Sequence, residues 1–220
     1  MKKLNLGLAL GLWMAMGTAS LYAVGTFEGE VDYNLNAKQH DMTTQYFMKG
    51  KQIRANTMTS GHESDVIIDM ESRQFTMIMV AQKMYTTMTI PESNSSTISK
   101  GTFTDTGRSD VILGKTCEEW LYTGPKGTSS IWGAYGLGNF GGFAGKPNDP
   151  SAAWADAVKH NGLFPLKIVS KDPNGNVMLT MEATKIIPGT LDDSLFQAPA
   201  GFTKMDMGNL GAMMGQHPGQ

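Results

Sequence analysis

Apolar and polar residues alternate along much of this chain, which is the pattern of β-strands with one buried face. The clearest example is residues 27–35, where Phe27, Val31, Tyr33 and Leu35 fall on the same side of an extended backbone. This stretch predicts the first strand of the folded domain.

Short apolar runs separated by turn residues continue through the first half of the chain. Residues 46–48 and 52–55 flank Gly50, which suits the tight turn of a hairpin. Residues 91–99 are rich in Ser and Asn and predict a loop. Three further runs predict a meander: residues 65–70, 74–80 and 83–89.

The second half of the chain continues the pattern. Another strand is predicted around Cys117, Trp120 and Tyr122, and two more at residues 164–169 and 177–187, joined by the strong turn sequence Asp-Pro-Asn-Gly. With about eleven strands, the predicted fold class is mainly β, a curved antiparallel sheet or incomplete β-barrel. We expect one or two helices to cover this sheet.

One helix is predicted at residues 151–160. Asp149 is a suitable N-cap, Pro150 suits the first helical position, and the Asn-Gly pair after His160 provides the stop. The apolar stripe of this helix consists of Ala153, Trp154, Ala157 and Val158.

The stretch just before this helix, residues 132–143, combines five glycines with large apolar side chains. These side chains are Trp132, Tyr135, Leu137, Phe140 and Phe143. A permissive backbone carrying aromatic residues is typical of a lid over an apolar cavity, and we predict that Trp154 lies with it. The alternative is a surface loop that packs on its own domain. Residues 136–141 also match GxGxxG, but no βαβ unit surrounds them, so a dinucleotide site is excluded.

Composition agrees with one all-β domain, because only 17% of the 220 residues are charged and 26 are glycine. Methionine is unusually frequent, with 17 residues. Met77, Met79 and the methionines of residues 84–88 lie in adjoining predicted strands, where flexible thioethers suit an adaptable cavity wall. Simple core packing is the alternative.

The N-terminus has the features of a secretory signal peptide, since Lys2 and Lys3 precede a short apolar run and small residues. Cleavage is expected after Ala19 or Ala23, and the run is short for a membrane anchor. The mature protein is therefore expected in the periplasm. The predicted segments are a signal peptide at 1–23, one domain at 24–204 and a flexible Met/Gly-rich tail at 205–220.

No pattern predicts catalysis, a cofactor or a metal site within the domain. The histidines are scattered, and Glu118 and Glu119 are adjacent on a strand, which directs one outward and the other toward the rim. The only cysteine, Cys117, can form no internal disulfide. The basic residues do not cluster, which excludes nucleic acid as a partner. We therefore expect a protein that is not an enzyme.

Several motifs, taken in order, resemble the bacterial family called domain of unknown function 4412. They are Phe27-Glu28-Gly29, Gly50-Lys51, Ile53-Arg54, Ile68-Asp69, Ile112 to Trp120, Phe164 to Lys167, and Ser194-Leu195-Phe196 with Pro199 to Phe202. That family is similar in fold to LolA and LolB, the periplasmic carrier and the outer-membrane receptor of lipoproteins. The resemblance implies an incomplete barrel covered by helices, a cavity for acyl chains, and no catalysis.

The sequence therefore predicts a monomeric, non-catalytic periplasmic protein that binds a hydrophobic small molecule or a lipid or lipoprotein acyl chain. Two alternatives remain open. The tail methionines with His217 offer soft ligands to Cu(I), which would make this a metal-handling protein. A sheet filled by its own helix would instead be an interaction or sensor module with an envelope protein as partner.

Overall fold

The computed structural model describes residues 27–37, 40–90, 101–138, 140, 154–155, 158 and 161–206. The strands described in this part of the chain form one sheet of twelve, a 3₁₀ helix lies at Asp193–Phe196, and Ala155 and Val158 are α-helical. The strands are β1 (Glu28–Ala37), β2 (His40–Lys49), β3 (Gln52–Thr59), β4 (His62–Asp69), β5 (Gln74–Met79), β6 (Met84–Thr89), β7 (Thr102–Ile112), β8 (Lys115–Gly124), β9 (Gly127–Ala134), β10 (Phe164–Lys171), β11 (Val177–Pro188) and β12 (Thr203–Lys204).

The sheet is open. Its order is β12-β6-β5-β4-β3-β2-β1-β11-β10-β9-β8-β7, so β12 and β7 form the two edges. All neighbouring strands are antiparallel except β12 and β6, which are parallel. The predicted class, a mainly β antiparallel sheet, is confirmed. The sheet does not close on itself, and a covering of helices stays a prediction.

Two of the predicted hairpins are formed at turns whose residues favour the required backbone conformation. Gly50 has φ +60 between β2 and β3, a conformation that glycine adopts without strain. Between β10 and β11, the Asp172 carboxylate accepts hydrogen bonds from the backbone amides of Asn174 and Asn176, both at 2.9 Å.

One face of the sheet carries the main core and is called the core face here. Paired positions from β8 to β1 place Trp120, Ile131, Ile168, Met181 and Leu35 in one row. A second row runs from β1 to β5 through Val31, Tyr46, Ala55, Val66 and Met77. Apolar residues thus run across the face from β8 to β5.

The opposite, outer face is covered over β3 to β6 by residues 189–202, which we call the strap. Ile67, Ile78 and Phe196 form a second buried cluster there. Two cations hold the strap: Arg54 Nη1 donates to the Leu195 carbonyl oxygen at 3.0 Å, and Lys49 Nζ donates to the Leu191 carbonyl oxygen at 2.8 Å. The strap is therefore fixed by polar contacts as well as by apolar packing.

Several predicted segments lie mainly outside the described residues: the signal peptide, the 91–99 loop, residues 141–153 and the tail from 207. In the predicted helix, the Val158 amide donates to the Trp154 carbonyl oxygen at 3.0 Å, the spacing of one helical turn.

Candidate functional site

The middle of the core face is an aromatic cluster. Phe140 stacks on Tyr46 with ring centroids 5.6 Å apart, and on Trp154 at 5.9 Å. Phe164 meets Phe140 edge-on at 5.6 Å. Such contacts add to the free energy of apolar burial, so this cluster stabilises the centre of the core face.

Part of this cluster comes from the segment that follows β9, not from the sheet itself. Leu137, Phe140 and Trp154 are each at most 3% exposed, and Val158 and Leu163 are also buried. We call Leu137, Phe140 and Trp154 the plug, because they fill the space over the core face. Three of the predicted lid residues thus come together.

Trp132 and Tyr135, two other predicted lid residues, are half-buried and pack against the main core but are not part of the plug. Trp132 pairs in register with Glu119, on the face opposite to Ile131, and its ring lies 5.9 Å from the Arg108 guanidinium carbon. Tyr135 is half-buried and its hydroxyl donates to Glu118 Oε2 at 3.2 Å. Phe143 lies outside the described residues.

Met77 and Met79 lie on the core face at the β5–β6 end of the sheet, away from the aromatic cluster. Register groups them with Phe75, Met84 and Met88, all half-buried. The five side chains form a partly open surface of the kind that flexible thioethers provide, and it is called the methionine surface below.

Some buried polar groups lack partners. Among the described residues, the indole nitrogens of Trp120 and Trp154 and the hydroxyls of Tyr122 and Thr86 find no hydrogen-bond partner. Three are donors from aromatic rings, and a buried donor without an acceptor costs about 1–3 kcal/mol. The buried indole N–H of the plug residue Trp154 therefore opposes the burial of this side chain.

A polar cluster around Glu119 is not indicated by any sequence pattern. This residue is 4% exposed, contrary to the expectation that one glutamate points outward and the other lies at the rim. Thr106 and Ser130 hydroxyls donate to its carboxylate at 2.8 and 2.7 Å, and Arg108 forms an ion pair with it. Burial acts to raise the pKa of Glu119, but these donors outweigh it and hold the pKa below its usual 4.5.

The described residues include no group of three His, Cys, Asp or Glu side chains that could hold a metal ion. No helical segment among them has the length and hydropathy of a membrane span. Cys117 is buried, and this burial raises the pKa of its thiol, which disfavours the reactive thiolate. The methionine tail that would bind Cu(I) lies outside the described residues from 207 onward.

These features define a class of proteins with an open antiparallel sheet and one apolar face. The sheet is similar to that of an uncharacterized conserved protein from Thermus thermophilus, with TM-score 0.53 and 6% identity over 81% of this chain and 90% of that chain. It is also similar to MucB, with TM-score 0.50 and 11% identity over 83% of this chain and 61% of MucB. At such identities the similarity concerns the fold alone.

The chain belongs to the family called domain of unknown function 4412, whose sequence profile matches residues 27–202. The predicted resemblance to this family is thus confirmed. A comparison with curated proteins finds no match.

Proposed function

We propose that this protein is an exported, non-catalytic periplasmic binding protein that takes up a hydrophobic ligand, a lipid or acyl chain, on its core face. The observation that carries the proposal is the plug. The centre of a large apolar face is filled by three side chains from one glycine-bearing segment, which an acyl chain of the same chemistry can replace.

The free energy gained by burying an acyl chain and the free energy lost by exposing the plug are of similar size. Burying a chain of about fifteen carbons gains about 12 kcal/mol at about 0.8 kcal/mol per methylene. Exposing Leu137, Phe140 and Trp154 opposes it by about 5–9 kcal/mol, at about 1.5–3 kcal/mol each. A remainder of a few kcal/mol, before the cost of association, favours uptake that is reversible, as a carrier requires.

The ligand would contact two regions of the core face, the plug and the methionine surface. The methionine surface is half-buried at the β5–β6 end of the same face and gives a chain a flexible apolar wall away from the plug.

Calorimetric titration of the delipidated mature protein with palmitate tests this proposal. Trp154→Ala removes a side chain that competes with the ligand for the core face. Because burial of that side chain is worth about 1.5–3 kcal/mol, we expect the variant to bind palmitate about 10- to 100-fold more tightly. Trp154→Phe should give a smaller change in the same direction. Trp132→Ala, on the opposite face, is the matched control and should bind like the wild type. No binding by any of these proteins, or equal weakening by both alanine variants, contradicts the proposal.

A second candidate is an interaction module with an envelope protein. It is favoured by β7, an edge strand of eleven residues that is exposed along nearly its whole length and pairs in the sheet with β8 alone. Exposed edges of this length are templates for another chain. A polypeptide, and no lipid, retained by the protein purified from the periplasm would favour this candidate.

A further inference from the structure

A groove of about 510 Å³ lies on the outer face, away from the plug. Its floor is formed by β4, β5 and β6, where paired positions place Ile67, Thr76 and Thr87 in one row. The strap forms its wall through residues 196–198. This volume is within the range of about 300–1,000 Å³ typical of small-molecule sites.

The lining of the groove is mainly polar. The Thr76 and Thr87 hydroxyls lie 3.1 Å apart on the floor, and Gln74 pairs in register with Thr89 in the next row. Gln197 adds an amide from the wall. Within the described residues, the side chains of Gln74, Thr89 and Gln197 have no hydrogen-bond partner, so they are available to a ligand. Such a lining suits a molecule with several hydroxyl groups and does not suit an acyl chain.

The charged side chain that lines the groove is positive. Lys204 on β12 lines it, and no carboxylate among the described residues does. The Lys204 ammonium is exposed and makes no ion pair with the described part of the chain. A ligand with one negative charge is therefore favoured over a neutral or cationic one.

The wall of the groove is preformed. Phe196 is 6% exposed, and the preceding Leu195 carbonyl accepts from Arg54, which is itself paired with the buried Asp65. On the other side, the Met205 amide donates to the Tyr85 carbonyl oxygen at 2.8 Å and fixes β12 beside β6. A site whose walls are already fixed loses little free energy to ordering on binding.

We propose that this strap groove binds an acidic sugar, with the threonine and glutamine side chains contacting its hydroxyls and Lys204 contacting its carboxylate. Tyr85 contributes an aromatic side chain to the same groove, a residue type that packs well on sugar rings. Met88 of the methionine surface also borders the groove, but the glucuronate and palmitate titrations are separate measurements, so the two proposals are tested independently.

Titration of the ¹⁵N-labelled mature protein with D-glucuronate, followed by amide chemical shifts, tests the proposal. We expect saturable shifts at Thr76, Thr87 and Gln197, and binding about two- to fivefold weaker for D-glucose, the range of an exposed ion pair. Lys204→Gln should abolish the preference for glucuronate, and Gln197→Ala should weaken both sugars. Gln82→Ala, exposed in the β5–β6 turn outside the groove, is the control.

The proposal is overturned if glucuronate causes no saturable shifts, or if the shifts map away from these threonines. It is also overturned if Lys204→Gln retains the full preference for glucuronate. The three substituted residues are all exposed, so we expect each variant to fold and a change in binding to report on the groove.

Discussion

Replacing Arg54 by methionine tests the ion pair beneath the strap. Arg54 Nε donates to Asp65 Oδ1 at 2.9 Å, a second nitrogen pairs with Oδ2, and a third donates to the Leu195 carbonyl oxygen. Asp65 is 1% exposed. Methionine keeps an apolar stem of similar length, so the variant chiefly leaves a buried carboxylate without its counter-ion.

The size of the effect follows from the two ways in which Asp65 can respond. Remaining charged without a partner costs about 3–5 kcal/mol. Taking up a proton instead costs about 4 kcal/mol at pH 7 but only about 2 kcal/mol at pH 5, at about 1.4 kcal/mol per pH unit above the usual pKa of 3.8. The loss of stability should therefore be about 3–4 kcal/mol at pH 7 and about half of that at pH 5.

The sign of this pH dependence rests on the pKa of Asp65. Burial raises it above 3.8 even with Arg54 present, although the Arg54 hydrogen bond and charge lower it. Without Arg54 it rises further. When the pKa of an acid is higher in the folded state than in the unfolded state, the protein loses stability as the pH rises from the unfolded pKa toward the folded one. The variant should therefore have a lower free energy of unfolding at pH 7 than at pH 5.

Urea unfolding followed by tryptophan fluorescence measures both values. Arg108→Met is the matched control, because Glu119 keeps the Thr106 and Ser130 hydroxyls and Arg108 is 67% exposed. That variant should lose about 1 kcal/mol or less. Equal losses for the two arginine variants, or a loss at Arg54 that does not change with pH, would show that the buried Asp65 charge is not the cause.

Three further predictions concern stability and reactivity. Trp154→Ala should lower the free energy of unfolding by about 3–5 kcal/mol, whereas Trp154→Phe, which removes the unpartnered N–H, should lower it far less, both measured by urea unfolding. Burial, with Glu30 nearby, raises the pKa of Asp32 from 3.8 to about 6, so its charge destabilises the fold progressively between about pH 4 and pH 6. Asp32→Asn should therefore raise the free energy of unfolding at pH 7 by about 1–3 kcal/mol and leave it unchanged at pH 4; an equal gain at both pH values would contradict this cause. Cys117 should react with Ellman's reagent only as fast as the protein unfolds, and rapid reaction of the native protein would show that the thiol is accessible.

Local rules were sufficient for much of the sheet. Strict alternation predicted the strand observed as β1, the turn at Gly50 predicted the β2–β3 hairpin, and closely spaced runs predicted β4 to β6. These predictions succeed because a period of two and a turn residue are properties of neighbouring residues.

What sequence reasoning missed depends on register or on distant contacts. β7 was largely missed because an exposed edge strand needs no apolar alternation. The burial of Glu119 depends on donors from two neighbouring strands, and local sequence does not specify which residues face each other across strands. Arg54 and Leu195 are 141 positions apart, and no local pattern joins them. Trp132, predicted in the lid, lies in β9 on the face opposite to Ile131, and its part in ligand binding stays a prediction.

Native mass spectrometry of the mature protein purified from its own periplasm, followed by solvent extraction and lipid analysis, tests the central proposal most directly. We expect a bound acyl species at near-stoichiometric occupancy, released when the protein unfolds. A mass equal to that of the ligand-free chain, together with no uptake of added palmitate, would contradict it.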